Sequence, residues 1–192
     1  FFAAHTDAGD PLADHCYTYE CSLGGTVNSY MRTQLSELVQ ERLQARGSKA
    51  TRVGYQREFM PHLLVEHING GLGAAPEWVA IDEGLHQMQE IKDFDELELM
   101  RKAVQIDLAA YTAAQQVIAP GVNELEVLGA AQQAAHLYAG EKVFHDGDYQ
   151  CGKPGGFARD RRIEDGELYI IDAWLIYRGY WSDLSRTFAV GE

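Results

Sequence analysis

The chain has 192 residues, 46% of them hydrophobic and 23% charged, and its 16 Lys+Arg against 29 Asp+Glu give a formal net charge of −13. Such a composition excludes wholesale disorder and allows one large domain or two small ones around a packed core. The acidic balance opposes nucleic-acid binding, and no uninterrupted apolar run approaches the roughly 20 residues of a membrane span. Cys16, Cys21 and Cys151 lack the paired spacing of a zinc ribbon and read as reduced structural thiols of a cytoplasmic protein. The opening Phe1-Phe2-Ala3-Ala4 is too short for the apolar stretch of a secretory signal.

In chain order, residues 30–46 carry Leu35, Leu38, Val39 and Leu43 at helical spacing, with Gly47 as a stop. Residues 51–55 read as a short strand. Residues 60–69 read as a helix on Leu63, Leu64 and Ile68, ended by Gly70-Gly71. A second strand-like run, Trp78-Val79-Ala80-Ile81, is bounded by Asp82-Glu83-Gly84. Strand–helix alternation of this kind predicts an α/β unit over residues 1–91.

From Lys92 the pattern changes. Asp93 and Glu96 are spaced as a capping box, and Leu97, Met100, Val104, Leu108 and Tyr111 form an apolar stripe that runs until Pro120-Gly121. Asn123 can cap a further helix, with Leu125, Leu128, Ala131, Ala135 and Tyr138 as its expected buried face and Gly140 as its end. Strand-like runs follow at 143–144, 149–151, 168–176 and 180–190, with His145-Asp146-Gly147-Asp148 read as a surface turn between the first two. Helices followed by a strand meander predict an α+β unit over residues 92–192.

The chemistry concentrates in one predicted hairpin. Asp172 interrupts an otherwise apolar run from Leu168 to Ile176, where a carboxylate is costly unless something pairs with it. Arg178-Gly179 reads as a two-residue turn, which sets Tyr177 opposite Tyr180 and Trp174 opposite Asp183. Alternation then puts Asp172 and Asp183 on one face as diagonal neighbours about 7–8 Å apart along the backbone. Two like charges so placed call for a cation or a shared proton, and a hard divalent metal is the simplest answer. Local neutralisation of Asp183 by Arg186, with a structural hydrogen bond to Asp172, is the alternative.

The string Asp165-Gly166-Glu167-Leu168-Tyr169-Ile170-Ile171-Asp172, continued by Tyr177 to Phe188, resembles the M24 metallopeptidase family, which includes Xaa-Pro aminopeptidase, prolidase, methionine aminopeptidase and creatinase. Lys92, Glu96, Leu99-Met100-Arg101-Lys102-Ala103 and Pro120-Gly121 are similar to the opening of its catalytic domain, and the residues before Lys92 to its creatinase-type N-terminal domain. The resemblance implies a partial α/β creatinase-type domain over residues 1–91, followed by the first half of an α+β pita-bread catalytic domain over 92–192. It implies two divalent metal ions (Mn, Co, Zn or Fe), with Asp172 as a ligand of one ion and Asp183 bridging both. The remaining His, Glu and Glu ligands are then expected beyond Glu192, so the chain reads as a fragment, inactive alone, of a longer homodimeric enzyme.

The implied reaction is hydrolysis of a peptide bond near an N-terminus, in the manner of an Xaa-Pro aminopeptidase or dipeptidase, by a metal-bridging hydroxide. The family's substrate-contacting histidine has no counterpart between Tyr149 and Ile171; His145 is the nearest candidate for a catalytic role. Trp174 stands where these peptidases commonly carry glycine. Both departures leave open a creatinase-like hydrolase or lyase acting on a small amidine, amide or sulfonium compound. A metal-free peptide- or protein-binding relative is the third reading. His62, His67, His86 and His136, the Gly-rich Lys153-Pro154-Gly155-Gly156, and Ser182 and Ser185 are expected to be chemically inert.

Overall fold

A computed structural model of the chain describes residues 31–191 together with Phe2–Ala3 and Tyr17–Thr18, which pair as the short parallel strands β1 and β2. Cys16, Cys21 and the opening Phe1 lie outside the described residues. The chain divides into two compact units, Phe1–Ile91 and Lys92–Glu192.

In the first unit, helix α1 (Met31–Ala45) precedes strand β3 (Arg52–Tyr55), helix α2 (His62–Leu72), strand β4 (Glu77–Ala80) and helix α3 (Asp82–Glu90). β3 and β4 pair in parallel, with Val53 opposite Trp78 and Tyr55 opposite Ala80, so α2 is the crossover of a βαβ unit. Edge-on packing of Tyr55 against Trp78 (5.3 Å between ring centres) and a 3.3 Å hydrogen bond from Trp78 Nε1 to Asn69 Oδ1 join the strands to the helix.

Two local expectations need correction. Helix α2 does not stop at Gly70-Gly71; it continues to Leu72 and ends at Gly73, which has φ 74°. The reason is packing: a Cβ on Gly71 would lie 3.0 Å from Leu43 Cβ and 3.1 Å from the Gln40 carbonyl oxygen, so the missing side chain lets α1 and α2 approach closely. And Asp82-Glu83-Gly84 opens α3 instead of closing β4 as a turn. Its two acidic residues sit at the positive end of the helix dipole. Leu85 and Met88 stand one helical turn apart on α3, yet none of its residues is buried.

In the second unit, helices α4 (Phe94–Val117) and α5 (Glu124–Ala139) cover one face of an antiparallel sheet of order β5-β6-β7, made by Phe144–Cys151, Leu168–Tyr177 and Tyr180–Ala189. The capping box forms, with Asp93 N–H donating to Glu96 Oε2 at 2.7 Å, and Asn123 Oδ1 accepts from Leu125 N–H at 2.9 Å. Ile106, Val127, Tyr149, Tyr169, Ile171 and Leu175 make the fully buried centre of the core.

The buried faces of the helices differ from the expected stripes. On α4 the sheet side carries Ala103, Ile106, Asp107, Ala110, Tyr111 and Ala114, while Leu97, Val104 and Leu108 are exposed. On α5, Val127, Ala131 and Ala135 are buried, and Leu125 and Tyr138 are exposed. Alanines allow the helix backbones to lie close to the sheet, and the few large residues between them fill the gaps.

The segment between β5 and β6 is fastened by charge. Glu124, fully buried, accepts from Arg159 Nε (2.9 Å), Arg159 N–H (2.9 Å) and Cys151 N–H (3.0 Å), while Arg161 donates to both oxygens of Glu167. These bonds offset the desolvation of a buried carboxylate.

Candidate metal centre

The site is built on the β6–β7 hairpin. Tyr177 pairs with Tyr180 across Arg178-Gly179, and the register runs through Trp174 opposite Asp183 to Leu168 opposite Ala189. Arg178 takes the positive φ of 50° that a two-residue turn requires, and its guanidinium is tied to Glu141 at 3.0 Å. Tyr180 OH donates to Glu96 Oε1 at 2.8 Å, which fastens the other side of the turn to the start of α4.

Alternation makes two faces. Tyr169, Ile171, Ala173, Leu175 and Tyr177 are buried under the helices, whereas Asp172 and Asp183 are exposed on the opposite, open face. Across β6 the open face carries two rows in register: Asp146–Trp174–Asp183 and Asp148–Asp172–Ser185. Burial, then the charges of Asp183 and Asp148, push the Asp172 carboxyl above its ordinary value. Arg186 pairs with Ile171 and so falls on the other side of the strand from Asp183; its Nη1 donates to the Ser185 carbonyl at 2.6 Å.

His145 requires a correction. It does not lie in a surface turn: β5 runs without interruption through Asp146-Gly147-Asp148. Gly147 makes this possible, since a Cβ there would lie 2.3 Å from the Asp172 carbonyl oxygen and 2.5 Å from Ala173 Cα. The side chain of His145 therefore points to the covered face, fully buried, with Nε2 3.3 Å from Asp107 Oδ1 and 3.5 Å from Tyr149 OH. The sheet separates it from Asp172 and Asp183.

The hairpin thus brings Asp172 and Asp183 together and leaves His145 behind. Read as one short turn, His145, Asp146 and Asp148 could form a metal-like cluster of their own; as a strand, β5 sends His145 to the covered face and sets Asp148 beside Asp172, an alternation legible in the sequence. Asp107 and Tyr111, one helical turn apart on α4, meet the strands from behind the sheet, and the sequence shows them only as a carboxylate among apolar residues and as part of a stripe.

Two carboxylates that share an open face, with burial first and the neighbouring Asp183 and Asp148 charges second in raising the Asp172 pKa, suit a hard divalent cation that would offset their repulsion. They supply part of a coordination sphere: among the described residues no group of three or more His, Cys, Asp or Glu side chains could hold a metal ion. Cys151 is buried on the covered side and carries no partner thiol among the described residues.

Residues 98–192 match the model of metallopeptidase family M24. An Xaa-Pro dipeptidase of Pyrococcus horikoshii is 34% identical over 120 residues, which make up 60% of this chain and 34% of that protein. The crystal structure of the prolidase from Pyrococcus horikoshii OT3 superposes with a TM-score of 0.70 and 25% identity over 92% of this chain and 46% of that one. The X-Pro aminopeptidase from Thermotoga maritima MSB8 shares the fold, with a TM-score of 0.72 over 92% of this chain and 47% of that one. The chain therefore spans about a third to a half of the relatives it matches. Its fold is the corresponding part of the pita-bread architecture, and through residues 98–192 it belongs to metallopeptidase family M24.

Proposed function

We propose that the chain supplies the first two carboxylate ligands, Asp172 and Asp183, of a dinuclear metal centre in a hydrolase that cleaves peptide bonds near an N-terminus, of the Xaa-Pro class. The observation that carries this reading is the placement of both carboxylates on the open face of one hairpin, as diagonal neighbours in its register. The Xaa-Pro dipeptidase and prolidase among its relatives support the substrate class. Divalent ions held there would polarise the scissile carbonyl and lower the pKa of bound water. The chain's own residues would orient that centre: β6 and β7 carry its ligands, and Trp174, between Asp146 and Asp183 in register, walls the space beside them. The preceding unit corresponds in this reading to a creatinase-type N-terminal domain.

Two features favour a second reading, a creatinase-like enzyme acting on a small amidine, amide or sulfonium compound. No histidine occurs between Tyr149 and Ile171, and the nearest, His145, faces away from the carboxylates. In addition, an indole occupies the open face next to both.

Elemental analysis of the whole protein and its Asp183→Ala variant tests the metal assignment. We expect bound Mn, Co, Zn or Fe in the parent and its loss, with all turnover, in the variant; retained stoichiometry would sink it. Turnover of Xaa-Pro dipeptides against creatine-like compounds then separates the two substrate classes.

A further inference from the structure

Tyr111 is 5% exposed, and its hydroxyl reaches the seam between β6 and β7. It accepts a hydrogen bond from Ala173 N–H at 3.1 Å and donates to the carbonyl of Leu184, the residue opposite Ala173 in the register; the Ile171 carbonyl oxygen is 3.3 Å away. One turn earlier on the same helix, Asp107 is fully buried and accepts from Ser182 Oγ at 3.0 Å. Its second oxygen is the one 3.3 Å from His145 Nε2, a contact without hydrogen-bond alignment. His145, Leu175 and Ser182 form one register row, so Asp107 spans the two outer strands beneath Leu175.

The positions of these anchors are specific. Ser182 and Leu184 are the chain neighbours of Asp183, and Ala173 is the neighbour of Asp172. An antiparallel ladder can satisfy its backbone without side chains. A helix-borne hydroxyl that touches both strands at this rung adds a positional constraint to the pairing. It does so at the edge strand of the sheet, which among the described strands is paired on one side only.

We propose that Tyr111, with Asp107 beside it, is a positioning residue that sets the spacing of Asp172 and Asp183 from behind the sheet and thereby the metal affinity of the pair. This rests on the metal-centre reading above. Neither residue touches a ligand or a substrate; each acts through the backbone or side chain next to a carboxylate. Burial raises the pKa of the Tyr111 hydroxyl, so the proton it donates to Leu184 is retained across the physiological range.

Calorimetric titration of Mn(II) alone into the whole protein tests this. Tyr111→Phe removes one oxygen and keeps the ring, and we expect at least tenfold weaker Mn(II) binding, with faster hydrogen exchange at the Asp183 amide. Ser182→Ala removes the second anchor and is expected to weaken binding in the same direction, which keeps the test open should Tyr111→Phe not fold. Val127→Ala, a core truncation on α5, the helix that packs on β5, is expected to lose stability and keep wild-type affinity. Unchanged Mn(II) affinity in a folded Tyr111→Phe or Ser182→Ala variant overturns the proposal, as does an equal loss in Val127→Ala. Failure of the wild-type protein to bind Mn(II) overturns the metal-centre reading itself and this inference with it, an outcome distinct from a wild-type-like variant.

Discussion

Asp172 and Asp183 are diagonal neighbours on the open face of the β6–β7 hairpin, and Asp183 pairs directly with Trp174. Asp148 flanks Asp172 from the other side. With Asp146 at the far end of the Trp174 row, four carboxylates share one surface, and the physical consequence is stored repulsion.

That repulsion has a measurable sign. Asp183→Asn removes a charge that raises the Asp172 pKa, so without metal it is expected to stabilise the fold at neutral pH by about 0.2–1 kcal/mol. Urea denaturation in the presence of chelator checks this. With metal added, the order should reverse, because the variant lacks a ligand. Lower stability of the variant in chelator would contradict the repulsion.

Gly147→Ala is expected to be among the most damaging single substitutions in the second unit. The new methyl would meet backbone atoms of Asp172 and Ala173 at 2.3 and 2.5 Å, at a φ of 151°. Backbone cannot yield as a flexible side chain does, so a loss of at least about 3 kcal/mol is expected. Thermal unfolding measures it, and a change below about 1 kcal/mol would show that β5 can shift away from β6.

Acid should unfold the second unit through its carboxylate–arginine network. Hydrogen bonds from Arg161, then from Glu164 N–H, hold the Glu167 carboxyl down at about 2. Burial pushes Glu124 up, but its bonds from Arg159 and Cys151 outweigh that, and the net shift is downward. A carboxylate whose folded pKa is depressed gives stability that is complete above its unfolded value and is lost as pH falls through the folded one. Stability from these groups is therefore expected to hold above an unfolded value of 4.5 and to decline toward about 2. Denaturant titrations at stepped pH check this, and Arg161→Ala should flatten the decline.

The two glycines of α2 should respond oppositely to alanine. At Gly70 the added Cβ meets only the flexible Gln40 side chain, nearest at 3.3 Å, so helix propensity dominates and a gain of about 0.5–1 kcal/mol is expected. At Gly71 it meets Leu43 Cβ and Gln40 backbone at 3.0–3.2 Å, and overpacking of about 1–3 kcal/mol offsets or exceeds that gain. Melting temperatures of the two variants side by side decide it; equal stabilisation by both would show that α1 and α2 can move apart.

Local rules alone determine much of this chain. The Asp93–Glu96 box, the Asn123 cap, the Arg178-Gly179 turn and the period of two along β6 and β7 are short-range, and together they place Asp172 and Asp183 on one face before any tertiary contact is considered. Long-range packing decides the rest. Which stripe of α4 is buried depends on what the sheet offers it, and Ala103, Ala110 and Ala114 win over Leu97, Val104 and Leu108 because close approach to the sheet needs small residues. Asp146-Gly147-Asp148 has the composition of a turn, yet it is strand because the absent Cβ at Gly147 lets β6 lie against it. That one continuation sends His145 to the covered face, where Asp107 and Tyr111, distant in sequence, meet the strands behind the carboxylates. Alternation along a strand is local, but which segment is strand, and what packs behind it, is settled only by the assembled sheet.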